Sequence, residues 1–327
     1  MPSTPPVPRI KPPALQPGDT IGIVAPGSNI KRELLEAGCE TLKRLGYKPF
    51  YFDSILDQDL YFAGTVERRA RELQEMFVRD DVKAIISARG GYGTNYLLNV
   101  LTLDEIVSHP KIFIGYSDVT TLLTSFASAG LITFHGPMVT KDFALPDGVD
   151  LQSWNAAVTG LPEWELNFVP ASGVKALVPG SAQGTLYGGC LSMLAASLGT
   201  PYEVKTEGTI LFLEDIGAKP YQVDRMLMQL KLAGKLADVK GVILGEMVDC
   251  VQQKDQGYSL EEVVMRIVGD LGFPVAYGLR SGHVSNRNIT LPIGVRSTLN
   301  VTDSGVTLKI LEPATRCVAA ASQFQKS

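Results

Sequence analysis

Short apolar runs separated by amphipathic segments constrain this chain more than any other feature of its sequence. TIGIVAP (20–26), KPFYF (48–52), VKAIISA (82–88) and KIFIGYS (111–117) read as strands. LLEAGCETLKRLG (34–46), ERRARELQEMFVR (67–79), NYLLNVL (95–101) and VTTLLTSFASAG (119–130) read as the helices between and after them. A parallel neighbour is reached only by a crossover of about a dozen residues or more, usually a helix. The alternation therefore predicts an α/β fold that opens with a parallel sheet carrying helices on its faces.

Over 145–183 the pattern loosens into LPDGVD, TGLPEWELN and VPASGVKALVPGSAQG, rich in turn formers and poor in periodicity. It resumes with GTLYGG, the helix-like CLSMLAASLG and the strand-like TILFLED (209–215), followed by a helix with Val223, Met226, Leu227 and Leu230 on one face. VKGVILGEM, a helix around EEVVMRIVGDLG, and FPVAYGL come next, and the alternation in NITLPIGVRSTLNVTDSGVTLKIL predicts antiparallel strands. The expected division is a proline-rich leader (1–14), an N-terminal α/β domain (15–165), a linker (166–183), a C-terminal α/β domain with mixed or antiparallel strands (184–316) and a tail (317–327). No repeat links the halves.

A chain of 327 residues that is 45% hydrophobic and 20% charged can bury the cores of one large or two ordinary domains. Its net charge of -4, with no cluster of Lys and Arg, gives no footprint for a nucleic acid. The opening MPSTPPVPRIKPPALQP lacks the apolar stretch of a secretory signal, and no later run approaches the roughly eighteen apolar residues of a membrane span. A cytoplasmic protein with no membrane partner is expected. Cys39, Cys190, Cys250 and Cys317 form neither a CxxC pair nor a disulfide framework, and His109, His135 and His283 cannot make an HExxH zinc site. Hydrolytic chemistry here is expected to use no metal, or else an unusual carboxylate site.

In KIFIGYSDVTTLL an apolar strand ends at Gly115 and a helix begins near Asp118, so Ser117 stands on a tight strand-to-helix turn. Such a turn lifts a hydroxyl clear of the sheet and aims backbone N–H groups at one point, which suits a nucleophile and its oxyanion hole. Val119 replaces the second glycine of GxSxG, and Ser117 with Asp118 would equally serve as an N-cap region. VKAIISARGGYGTNYLL nearly matches a dinucleotide loop, but Tyr96 occupies the third glycine position, which argues against a cofactor. Its glycines could instead let backbone approach substrate and supply an oxyanion donor near Gly91, or simply make a tight connection.

TILFLED places Glu214 and Asp215 at the end of an apolar strand, where α/β sheets present functional groups and where the chain also simply leaves the core. His283 lies in the glycine- and serine-rich turn GLRSGHVSNRN and is a better base than His135 in TFHGPM, its main competitor, or His109 beside Pro110. Ser117, Glu214 and His283 follow in the order nucleophile, acid, base. Cys190 in YGGCLSM also sits in a glycine turn before a helix, like a glutamine amidotransferase elbow, but Ser285 stands where such an enzyme carries a glutamate after its histidine. Cys190 is therefore expected to be a small buried helix residue.

IGIVAPGS, ARGGYG, GYSDVTTLL, FHGPM, GGCLSMLAASLGTPYE, LEDIGAKPYQVDRML and SGHVSNRNITLPIG together resemble the LD-carboxypeptidase family of serine peptidases, in order from about residue 15 to 312. The resemblance implies Ser117 as nucleophile, Glu214 as the acid that orients the base, His283 as base, and backbone amides of Asp118 and Gly91 as oxyanion donors. It also implies an N-terminal domain resembling class I glutamine amidotransferases, a site in the cleft between two domains, and a homodimer. The implied activity is release of the terminal D-alanine from murein tetrapeptides in cell-wall recycling. Family members often carry a second acid after the LED segment, where this chain has Ala218 and Lys219.

One branch of the family cleaves peptide-nucleotide antibiotics with the same triad. The recycling activity is favoured here because no aromatic-rich insertion that could stack a nucleobase stands near the expected cleft. A two-domain ligand-binding protein without catalysis is the other alternative. Arg89, at a strand end beside the glycine turn, is the candidate for the substrate carboxylate, since a guanidinium suits bidentate pairing.

Overall fold

A computed structural model of the chain describes residues 9–251 and 257–317. Residues 1–8 of the expected leader and 318–327 of the expected tail lie outside the described residues. The first half runs β1 (Thr20–Val24), α1 (Arg32–Arg44), β2 (Lys48–Phe50), α2 (Val66–Val78), β3 (Val82–Ser87), α3 (Leu103–Ser108), β4 (Ile112–Gly115), α4 (Thr120–Ser128) and β5 (Thr133–His135). The second runs α5 (Leu151–Val158), β6 (Trp164–Phe168), β7 (Lys175–Val178), β8 (Gly180–Cys190), α6 (Leu191–Ala196), β9 (Thr209–Glu214), α7 (Pro220–Leu232) and β10 (Gly241–Gly245). It ends with α8 (Leu260–Val268), β11 (Val275–Leu279), β12 (Leu291–Ile293), β13 (Arg296–Thr302) and β14 (Gly305–Ile310).

Two mixed sheets result. One has the order β12-β5-β4-β3-β1-β2 and the other β6-β14-β13-β8-β9-β10-β11-β7. Strands β1 to β5 pair in parallel, and β8 to β11 form a parallel centre in the second sheet. Every residue of β4, β9 and β10 is buried; in β9 and β10 one face packs with residues of α6, α7 and α8 and the other in a cluster rich in strand residues. The hairpin β13–β14 alternates buried and more exposed positions, as an antiparallel pair with one covered face should. Among the described residues no helix is long and apolar enough to cross a membrane.

Three departures from the sequence reading have physical causes. NYLLNVL does not make an α-helix but only a 3-10 turn at Thr94–Leu97, because Thr94 is tied by amide and hydroxyl to Asp118 on the neighbouring turn. The stretch expected to be a linker, 166–183, instead holds the end of β6, all of β7 and the start of β8, and α5 precedes it with Asp150 accepting the Ser153 amide at 2.8 Å. Its turn formers punctuate strands, with Gly173 and Gly180 at φ 87° and 154°. β12, expected in the C-terminal domain, leaves that half to pair antiparallel with β5, Leu291 opposite His135.

The two halves are joined again where α4 begins. The Thr120 hydroxyl accepts the Cys190 amide at 3.1 Å, linking the turn after β4 to the end of β8. The carboxyl ends of β4, β5 and β9 thereby come together.

Candidate active site

β4 ends at Gly115, Tyr116 is extended, and Ser117 adopts φ 63° before a 3-10 turn, Ser117–Val119, runs into α4. A left-handed conformation costs a non-glycine residue about 1–2 kcal/mol, and such strain persists where the surroundings over-determine it. The surroundings here are backbone. A Cβ on Gly90 would lie 3.0 Å from Ser117 Cβ and 3.2 Å from the Asp118 nitrogen, and one on Gly27 would collide with the Gly90 carbonyl oxygen. The loops after β1, β3 and β4 are thus closely stacked, with glycine demanded at Gly27 and little room for a side chain at Gly90.

Asp118 fastens this stack from below. It is buried, its Oδ2 accepts the Thr94 amide at 2.9 Å, and its carbonyl accepts the Thr94 hydroxyl at 2.6 Å. Burial pushes its carboxyl pKa up, against the hydrogen bonds from Thr94 that favour the anion. The backbone amides of Gly91 and Asp118 flank the turn, and neither has an acceptor among the described residues.

Glu214, the last residue of β9, is fully buried, and His283 follows the end of β11 in a tight turn. Glu214 Oε2 accepts both the His283 amide, at 3.0 Å, and the ring Nδ1–H, at 2.8 Å. That pairing fixes the ring and leaves Nε2 to act on whatever enters the site. Burial pushes the Glu214 carboxyl up, but His135 and His283 outweigh it and hold the pKa at about 2. Glu214 is therefore a buried anion at neutral pH. Gly282 makes the approach possible, since at φ 93° a Cβ would lie 2.6 Å from Glu214 Cδ and 2.7 Å from His135 Cε1.

Ser117 and His283 line one cavity of about 360 Å³, together with Arg89, Gly91 and Tyr116. No hydrogen bond joins the serine hydroxyl to the imidazole; such contacts commonly tighten only when substrate binds. Tyr116 meets the His283 ring edge-on at 5.1 Å. Lys31 and Lys141 also line this cavity, and among the described residues no Asp or Glu does. Arg89 is exposed and donates to the Asn29 carbonyl at 3.1 Å. A larger cavity of about 550 Å³ around Glu246, Cys250 and Tyr277 contains none of the predicted site residues.

The competing candidates fall away from this cavity. Cys190 is buried at the end of β8 and caps α6, rather than lying within a helix, and burial, with Glu214 and Asp215 nearby, pushes its thiol pKa well up. His109 is exposed, and His135 is wholly buried behind Glu214. Sequence reasoning missed Lys31 and Lys141, which carry no motif, and the second histidine on Glu214. It also missed an aromatic cluster beside the glycine turn. Tyr61, Tyr92 and Tyr96 surround Phe62 with ring centroids 4.4, 5.9 and 5.4 Å from it, and all three tyrosines are exposed.

Known proteins align with the whole arrangement. The profile of the LD-carboxypeptidase N-terminal domain matches residues 21–136, and that of the C-terminal domain residues 183–299. A probable murein peptide carboxypeptidase of Bacillus subtilis is 40% identical, over 90% of this chain and 92% of its own. The crystal structure of muramoyltetrapeptide carboxypeptidase from Oxalobacter formigenes matches with a TM-score of 0.80 at 34% identity, covering 89% of this chain and 98% of that one. A microcin self-immunity protein of Escherichia coli is 31% identical over 89% of this chain and 93% of its own. A solved complex of a protein of that name with aspartyl sulfamoyl adenosine has a TM-score of 0.84 at 27% identity, over 94% of this chain and 100% of that one.

Proposed function

This chain belongs to the LD-carboxypeptidase family, and from that premise we propose that it is a serine peptidase that releases the terminal D-alanine of murein tetrapeptides. The observation that carries the mechanism is the meeting of a strained serine turn and a carboxylate-held imidazole on one cavity. Ser117 Oγ attacks the carbonyl carbon of the bond between the L-centre and D-alanine, while His283 Nε2 takes its proton. Glu214 orients the ring and stabilises the imidazolium. The Asp118 and Gly91 amides receive the oxyanion. Collapse breaks the C–N bond, the imidazolium protonates the departing amine, and D-alanine leaves. Water, deprotonated by His283, then hydrolyses the Ser117 ester and restores the enzyme.

Substrate charge fits the walls. A murein tetrapeptide carries several carboxylates, and Lys31, Arg89 and Lys141 surround the cavity without an opposing acid. Arg89 is assigned the terminal carboxylate, and the reaction is placed in the cleft between the two sheets of a cytoplasmic homodimer engaged in cell-wall recycling.

A second reading, cleavage of a peptide-nucleotide antibiotic, gains from the exposed tyrosines Tyr61, Tyr92 and Tyr96, whose rings could stack a base. A variant series with murein tetrapeptide tests the proposal. Ser117→Ala and His283→Ala each lower kcat by on the order of 10⁴-fold or more, the double variant is little worse, and Glu214→Gln loses less. Substantial turnover by Ser117→Ala overturns the assignment. Hydrolysis of aspartyl sulfamoyl adenosine but not of tetrapeptide selects the second reading.

A further inference from the structure

We propose that His135 is a second positioning residue for Glu214, so that the carboxylate is clamped between two histidines and the proposed triad works as a tetrad. This rests on the assignment of Glu214 and His283 above. The FHGPM segment that carries His135 is otherwise left without a task.

His135 ends β5, is completely buried, and faces the side of Glu214 that His283 does not use. His135 Nε2 lies 3.6 Å from Glu214 Oε1, and neither atom has another partner among the described residues. At that distance the pair is longer than a hydrogen bond but well within electrostatic reach. The other ring nitrogen, Nδ1, is 2.9 Å from the Ser281 hydroxyl. A bare Nε2 lone pair against a buried carboxylate would be repulsive, so the carboxylate opposite it selects the neutral tautomer with its proton on Nε2. Ser281 then donates to Nδ1 at 2.9 Å in preference to the His135 carbonyl, its other acceptor, which lies farther off at 3.4 Å. One face of Glu214 thus meets an imidazole that Ser281 contacts on its other nitrogen, and the other holds the working base.

The arrangement answers a need of the chemistry. An anion this deeply buried must have both oxygens satisfied while His283 is neutral, and it must not turn when His283 becomes charged. His135 Nε2–H, 3.6 Å from Oε1, offsets the charge on that side electrostatically rather than by a formed hydrogen bond, and the clamp meets the second demand. The other titratable groups packed around the pair do not compete. Tyr116 and Cys190 are held protonated by burial, and Asp215 turns to the Ser192 amide at 2.9 Å. Asp142 is pushed up to about 6 by burial, and Asp142→Asn separates its titration from that of the rings.

Removing the Nε2–H leaves Glu214 less stabilised by other donors and so a stronger partner for the His283 imidazolium. His283 then keeps its proton to higher pH. With only three histidines in the chain, each ring can be followed by NMR in the catalytically silent Ser117→Ala background, whether or not the peptidase reading holds. His135 is expected to show a proton on Nε2 and an accepting Nδ1 at pH 7. His135→Phe and the milder Ser281→Ala are expected to move the His283 titration midpoint up, by about one unit for the first. His135→Gln, which returns an N–H to that side, restores most of it, while Asp142→Asn leaves it in place. With active enzyme the acid limb of kcat/KM shifts in the same direction and KM stays put. A His135 proton on Nδ1, or an unmoved His283 midpoint in both Ser281→Ala and folded His135→Phe, overturns the proposal. Intact shifts in the silent background without tetrapeptide turnover by the active enzyme would instead count against the peptidase reading alone.

Discussion

At φ 63° the Ser117 backbone stores strain that a glycine would not, on the order of 1 kcal/mol. Ser117→Gly is therefore expected to be more stable than Ser117→Ala by about 1 kcal/mol in urea unfolding, because both lose the hydroxyl and only glycine relaxes the turn. Equal stability of the two would mean that the turn is not strained. The residue types at the site could be read in the sequence because each stands at a strand end or in a glycine-rich turn. Their geometry could not. GYSDV lacks the second glycine of the usual elbow, so nothing in it announces a left-handed serine. The place of His135 behind Glu214 depends on three strands, β4, β5 and β9, ending together, which no local pattern encodes.

The loops after β1, β3 and β4 act as one unit, because glycine at 27 and 90 lets their backbones touch. Gly27→Ala is a direct probe. Its Cβ would meet the Gly90 carbonyl and lie 2.8 Å from Asp118 Oδ2, so the glycine turn must withdraw from Ser117. The expected result is a loss of about 1–3 kcal/mol of stability and a fall in kcat beyond any change in KM, since the Gly91 amide proposed for the oxyanion moves with the turn while Lys31 and Lys141 lie outside it. Wild-type kcat in this variant would show that the stacked loops do not set the oxyanion geometry. Among the elements, continuous apolar runs such as β9 and β10 were legible because burial on both faces writes itself into composition. β6 and β7 were not, being short strands whose flanking glycines and prolines read as a linker, and β12 was not, because its partner β5 lies more than 150 residues away in sequence.

Over the whole molecule, the segments that follow β1, β3, β4 and β5, with His283 beyond β11, line one cavity whose walls carry Lys31, Arg89 and Lys141 on a chain of net charge -4. That local reversal of sign favours a small anionic substrate over the protein's own acidic surface. The mixed α/β character of the fold was legible from alternation, and the family from the order of its motifs along the chain. The charge of the walls was not, since its three residues come from separate loops with no shared motif. The most direct test of the account is to measure alanine release by mass spectrometry from a murein tetrapeptide ending in D-alanine, from its all-L counterpart and from its C-terminally amidated form, with wild type and Ser117→Ala. The account predicts release from the first peptide alone, by wild type alone. Equal release from the all-L or amidated peptide, or persistence of release in Ser117→Ala, would contradict it.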